Sequence, residues 1–72
     1  MLREKRKEKG LTQSKLAKKI GISKGYLSKL EKYPHLCNPN VNFILKLSKE
    51  LDVSPLKIFS FFIEKKLTTN EY

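Results

Sequence analysis

The stretch LTQSKLAKKIGISKGYLSKLE, residues 11–31, constrains this chain more than any other. Leu16, Ala17 and Ile20 fall at i, i+1 and i+4, and Tyr26, Leu27 and Leu30 repeat that spacing. Such spacing gathers apolar side chains on one face of a helix and does not fit the two-residue period of a strand. Thr12 stands where the N-cap of one helix belongs and Ser23 where the N-cap of a second belongs. Gly21, between them, tolerates the left-handed conformation that stops a helix and redirects the chain. The stretch predicts two short amphipathic helices joined by a tight glycine turn.

A chain of 72 residues makes one small domain, too short for a second core. It carries 16 Lys and Arg against 7 Asp and Glu, a net charge of +9. Residues 1–32 hold +8 of that excess, residues 33–53 balance, and residues 54–72 hold +1. A helix pair of this build is a helix-turn-helix, which lays its second helix in a DNA major groove. A basic face on that element is the footprint of phosphate neutralisation. Cys37 is the single cysteine, which excludes an internal disulfide and suits a reducing compartment. No apolar segment follows the charged N-terminus as in an export signal, and the longest apolar run, residues 58–63, is far shorter than a bilayer span. A soluble, cytoplasmic protein is expected. One His, one Cys and no clustered carboxylates provide no catalytic constellation and no metal site, so neither an enzyme nor a cofactor is expected, and no small-molecule ligand is evident.

Five helices are expected over nearly the whole length, with no strand-like alternation to compete. The first, about residues 2–9, is mostly charge, with Leu2 and Arg6 spaced to share its inner face, and Gly10 ends it. The second covers about 13–20 and the third about 24–32. KYPHLCNPN, residues 32–40, reads as a loop because it carries two prolines and two asparagines, and Asn40 caps the helix beyond it. In that loop, His35 reads as a surface side chain and Cys37 as an inert thiol. The fourth helix, 41–51, sets Val41, Ile44, Leu47, Ser48 and Leu51 along one stripe. Ser54 followed by Pro55 opens the fifth, which runs into the 64–67 region. Residues 1–67 then form the domain and 68–72 a frayed polar tail. The fifth helix carries more large apolar groups than a core needs. Ile58, Phe59 and Phe62 suit that core, while Leu56, Phe61, Phe62 and Ile63 are candidates for contact with a second copy.

The strings LREKRKEKGLTQSKLAKKIGISKGYLSKLEK and NPNVNFILKLSKELDVSP resemble the Cro/C1-type (XRE) helix-turn-helix family of bacterial and phage regulators, over about residues 2–59. The matching positions include Arg6, the run from Gly10 to Gln13, Leu16, Ala17, Gly21 to Ser23, Leu27, Leu30, Glu31, Asn38, Pro39, Leu51, Val53 and Ser54. Tyr26-Leu27-Ser28 and the long loop are most similar to the SinR-like branch. The resemblance implies an all-α, five-helix fold of the lambda-repressor type. It also implies a sequence-specific DNA-binding regulator of transcription, a repressor, on a roughly palindromic operator. Two departures stand out. Family members carry another turn of helix ahead of the position of Leu2, and SinR-like proteins continue past the fifth helix into a multimerisation segment.

On the third helix the outward positions are Lys24, Gly25, Ser28 and Lys29, and the family's base-facing sites fall on Ser23, Lys24, Gly25, Ser28 and Lys29. Lys24 and Lys29 suit guanine O6 and N7, and Ser28 donates or accepts. Gly25 either admits close approach of the backbone or reads nothing. Phosphate contacts are expected from Gln13 at the mouth of the second helix and from Thr12, Tyr26, Lys32, Asn38 and Asn40. Thr12 divides its hydroxyl between capping and phosphate, and Tyr26 reads equally as a core tyrosine. Arg6 and Glu31 match a pair that forms a structural ion pair in this family. The expected partners are double-stranded DNA and a second copy of the chain. Two other classes remain open: an antitoxin-like or other interaction module working through the fifth helix, and a cationic membrane-surface binder. The separation of the charge-rich helices from the aromatic segment counts against the last.

Overall fold

A left-handed residue turns the chain at the end of three helices. The computed structural model describes residues 1–69. Among them α1 (Leu2–Glu8), α2 (Gln13–Ile20), α3 (Lys24–Lys32), α4 (Val41–Leu51) and α5 (Pro55–Thr69) follow in order, with a 3-10 turn, Pro34–Leu36, between α3 and α4. Gly10 (φ 69°), Gly21 (φ 77°) and Asp52 (φ 58°) take the left-handed conformation beyond α1, α2 and α4. After each, the next amide reaches back five residues: Leu11 N–H to Arg6 O at 3.2 Å, Ile22 N–H to Ala17 O at 3.0 Å, and Val53 N–H to Ser48 O at 3.1 Å. These bonds use carbonyls that a helix end leaves over, and they fix the exit direction. Ser48 adds a hydroxyl bond to Val53 O. The starts are equally local. Side-chain oxygens of Thr12, Ser23 and Asn40 accept the N–H groups of Lys15, Tyr26 and Phe43 at 3.1, 3.0 and 2.8 Å. Each cap stabilises its helix by about 0.5–2 kcal/mol.

The helices enclose one apolar cluster. Leu2 from α1, Leu16, Ala17 and Ile20 from α2, Leu27 and Leu30 from α3, Ile44, Leu47 and Leu51 from α4, and Ile58 and Phe62 from α5 are all buried in it. Cys37 joins them, its Sγ donating to Tyr33 O at 3.7 Å. The connection expected as a loop is therefore tied down. Pro34 is buried, His35 is half-buried, and the Lys66 ammonium donates to His35 O at 3.2 Å.

The structure corrects four expectations on α4 and α5. Val41 is 68% exposed, so the buried stripe of α4 narrows to Ile44, Leu47, Ser48 and Leu51. On α5 the core takes Ile58 and Phe62, four residues apart on one face, and leaves Phe59 48% exposed. Phe62 is thus a core residue and not a contact for a second copy. Phe61 is half-buried, its ring edge-on to that of Phe62 with centroids 5.3 Å apart and the Lys65 ammonium 5.6 Å from its centroid. Leu56 and Ile63 are exposed as expected, and Phe59 and Leu67 join them. Finally, α5 continues through Thr68 and Thr69, with Thr68 Oγ1 donating to Glu64 O at 3.0 Å. Residues 70–72 of the expected tail lie outside the described residues.

This placement of the two rings has a measurable consequence. Phe62→Ala is expected to lose about 3–5 kcal/mol, a large part of the roughly 4–10 kcal/mol that a domain of this size holds. Phe59→Ala should change stability by about 0.5 kcal/mol or less. Urea unfolding of the two variants measures the contrast, and equal losses would contradict this assignment of the core.

Candidate nucleic-acid interface

The floor of the site is a buried ion pair. Arg6 lies on the inner face of α1, and Glu31 lies in the last turn of α3. Arg6 Nε donates to Glu31 Oε2 at 2.7 Å and Nη2 donates to Oε1 at 3.2 Å, while Nη1 donates to Leu11 O at 2.8 Å. The two side chains are only 9% and 5% exposed. Gln13, the first residue of α2, donates its Nε2 to the same Oε1 at 3.0 Å. One carboxylate thus ties together α1, the mouth of α2 and the end of α3. The guanidinium's planar fork makes the arrangement directional. Among the described residues no buried side-chain nitrogen or oxygen lacks a partner.

Above this floor opens a cleft of about 560 Å³. Arg3 and Arg6 line it from α1, Thr12, Gln13 and Ser14 from the start of α2, and Lys24, Ser28, Glu31 and Lys32 from α3. Lys24, Ser28 and Lys32 share it because they lie four residues apart along one side of α3. Gly25 and Lys29 form the next row and are exposed. At the α2 mouth, Thr12 takes the Lys15 N–H with its hydroxyl and the Leu16 N–H with its carbonyl. The Gln13 and Ser14 N–H groups are left without an intrahelical acceptor, and the positive end of the helix dipole opens on the cleft. With Arg6 neutralised by Glu31, the three remaining cations, Arg3, Lys24 and Lys32, and the free amide donors around one space suit an anion with several acceptor oxygens, as a phosphate is.

The base-reading candidates lie where the helical period puts them. Ser23, Lys24, Gly25 and Lys29 are exposed and Ser28 is half-buried. Ser23 and Thr12 already accept a backbone N–H as caps, and each hydroxyl keeps a hydrogen to donate. Gln13 is half-buried and has one amide hydrogen committed to Glu31, so it belongs to the floor as well as the cleft. Lys32 is exposed in the cleft, its ammonium 5.9 Å from the Tyr33 ring centroid. The remaining phosphate candidates gather elsewhere. Tyr26 packs its ring at the core edge, 6.2 Å from that of Phe43. Burial, then the nearby Cys37, push its phenol above the usual tyrosine range. Asn40 gives its Oδ1 to the α4 cap and keeps its NH₂, and Asn38 is exposed in the connection before it.

Sequence reasoning missed Arg3 and Ser14. The signal was present for both: Arg3 lies three residues before Arg6, close to its side of α1, and Ser14 follows Gln13 at an open helix mouth. Among the described residues no group of His, Cys, Asp or Glu could hold a metal ion, and no helix is long and apolar enough to cross a membrane.

Comparison with known proteins identifies a family and several relatives. The helix-turn-helix family HTH_3 matches residues 2–58, a span that contains every residue lining the cleft. The chain is 45% identical over 53 residues to the HTH-type transcriptional regulator SinR of Bacillus subtilis (strain 168), covering 74% of this chain and 47% of that protein. The SinR of Bacillus licheniformis matches equally. Identity to the HTH-type transcriptional regulator SlrR of Bacillus subtilis (strain 168) is 42% over 59 residues, covering 82% of this chain and 38% of that one. The chain spans less than half the length of these relatives. No solved structure matches it significantly.

The buried floor yields its own test. Glu31→Ala leaves the Arg6 guanidinium closed off from water without its partner and should cost about 3–5 kcal/mol. Replacing both, Arg6→Met with Glu31→Leu, should recover most of that loss. Denaturant titration measures both, and a double variant no more stable than Glu31→Ala would show that the loss has another origin.

Proposed function

Because this chain belongs to the Cro/C1-type helix-turn-helix family, we propose that it is a sequence-specific, double-stranded DNA-binding regulator of transcription. It acts in the cytoplasm as a repressor, with α3 in the major groove. The observation that carries this reading is the cleft, where the open N–H groups of α2 and the lysines of α3 border one space. A helix fits the major groove, and its N-terminal residues reach the base edges. Lys24 and Lys29 then donate to guanine O6 and N7, with Ser23 and Ser28 adding less selective hydrogen bonds. The sugar–phosphate strand beside α3 runs into the cleft and meets Thr12, Gln13, Ser14, Lys32 and Arg3. Tyr26, Asn38 and Asn40 lie along the backbone of the same half-site. Arg6 and Glu31 touch no base. They hold α2 and α3 at the angle that lets both engage.

A second copy of the chain completes the site. Leu56, Phe59, Ile63 and Leu67 are exposed on α5 and form one apolar stripe apart from its core side. Pairing of this stripe across a two-fold axis sets two α3 helices about 34 Å apart on a roughly palindromic operator. A different protein, as in an antitoxin-like module, is the alternative occupant of that stripe. Sedimentation of the protein alone separates the two: a dimer that Phe59→Ser dissociates supports self-pairing, and a monomer at high concentration removes it.

Selection from a random duplex pool should enrich a two-fold symmetric sequence. On that duplex Lys24→Ala and Lys29→Ala should each lose about 1–3 kcal/mol of binding, with little change on an unrelated duplex. Arg3→Ala should weaken binding to both duplexes and reduce the slope of log affinity against log salt by about one. A parent protein that enriches nothing, or whose affinity ignores salt, would sink the reading.

A further inference from the structure

The outward face of α3 carries a residue that the fold does not need. Gly25 is exposed near the start of α3 and, unlike Gly10 and Gly21, does not take the left-handed conformation. A Cβ added to it meets no heavy atom within 4 Å. No neighbouring side chain or backbone therefore requires its absence. Glycine nonetheless weakens a helix, because it leaves the unfolded chain freer and covers none of the backbone. Its neighbours on the face are Lys24 before it and Ser28 and Lys29 three and four residues on. Gly25 is thus the low point of a surface whose lysines reach well beyond it. A residue that lowers stability without serving internal packing, at the centre of that surface, is accounted for by something outside the protein.

Resting on the reading of α3 as the groove-inserted helix, we propose that Gly25 is a specificity-determining residue: its missing side chain lets the α3 backbone lie against base edges at van der Waals distance. Hydrogen bonds tolerate only a few tenths of an ångström in length. A side chain at 25 lifts the first turn of α3 from the groove floor and draws Lys24 and Ser28 out of reach of their bases. The phosphate contacts in the cleft lie away from that first turn, at the α2 mouth and on the long Arg3 and Lys32 side chains, which extend to follow the shift. Gly25 therefore governs the difference between the right sequence and any other, and not the general attraction to DNA.

Gly25→Ala and Gly25→Leu in the 72-residue protein test this, with the duplex enriched by the parent and an unrelated duplex as probes. Both variants should melt at or above the parent, Gly25→Ala by about 3–6 °C. Affinity for the enriched duplex should fall by about tenfold for Ala and about a hundredfold for Leu, while affinity for the unrelated duplex stays within about twofold. Binding of the enriched duplex within twofold of the parent by both variants would overturn the inference, since the glycine would then read nothing. A lower melting temperature would also overturn it, because the glycine would be serving the fold. Equal losses on both duplexes would overturn it as a matter of specificity. A parent that enriches no duplex defeats the DNA-binding reading itself, and this inference with it, which is a different result from a parent that binds and variants that bind as well.

Discussion

The guanidinium of Arg6 and the carboxylate of Glu31 are held almost wholly out of water, and desolvating two charges is a cost that only tight geometry offsets. An apolar pair of similar volume would recover most of the stability that breaking the pair removes. Dispersion and burial, however, are non-directional, whereas a bidentate guanidinium–carboxylate pair accepts few orientations. Arg6 also holds both polar groups of Leu11, accepting its N–H with the main chain and donating to its carbonyl from Nη1. The α1–α2 turn and the end of α3 are therefore referred to one residue. Gln13 adds the mouth of α2 to the same carboxylate. The relative placement of the open amides of α2 and the lysines of α3 is inherited from this network, and so is whatever the cleft between them can bind.

On the two helices of the pair, the scaffold and the outward face proposed to meet DNA are separated by angle and not by sequence position. Leu16, Ala17, Ile20, Leu27 and Leu30 are all at most 4% exposed, so the inward side has no freedom to vary in size. The residues between them on the outward side meet little of the protein, and Gly25 meets nothing with the atoms it lacks. Changes of partner can be written on that side without disturbing the core.

The features legible in the sequence were those that act locally. Thr12, Ser23 and Asn40 cap amides three residues away, and Gly21 turns the chain within one step, so short-range rules were enough for the helix pair and its boundaries. Arg6 and Glu31 lie 25 positions apart, and only the family pattern joined them. No local rule could show that Gln13 would donate to Glu31, because that depends on where α3 ends relative to α2. On α5 the apolar residues run around most of the helix, so periodicity did not choose a face. Packing chose Ile58 and Phe62 and left Phe59 outside. The three-residue turn at Pro34–Leu36 is too short to have a period at all. Asp52 closes α4 in a conformation that glycine usually supplies, so the sequence there gives a weaker mark than Gly10 or Gly21.

Charge and apolar surface are divided between the two ends of the chain, and that division decides whether both surfaces can work at once. Residues 1–32 carry +8 of the net +9, and residues 54–72 carry +1. The pairing through α5 proposed above would therefore bring together the less charged portions of two copies. In the proposed dimer, with its two α3 helices about 34 Å apart, the basic faces would be separated by about four Debye lengths at physiological salt, where the screening length is about 8 Å. Repulsion between them is almost entirely screened at that distance. A phosphate within hydrogen-bond reach of Lys32 or the α2 amides lies well inside one screening length and is attracted at nearly full strength. The same salt that makes two such faces tolerable on one assembly thus leaves each free to bind, and the two tasks do not oppose each other.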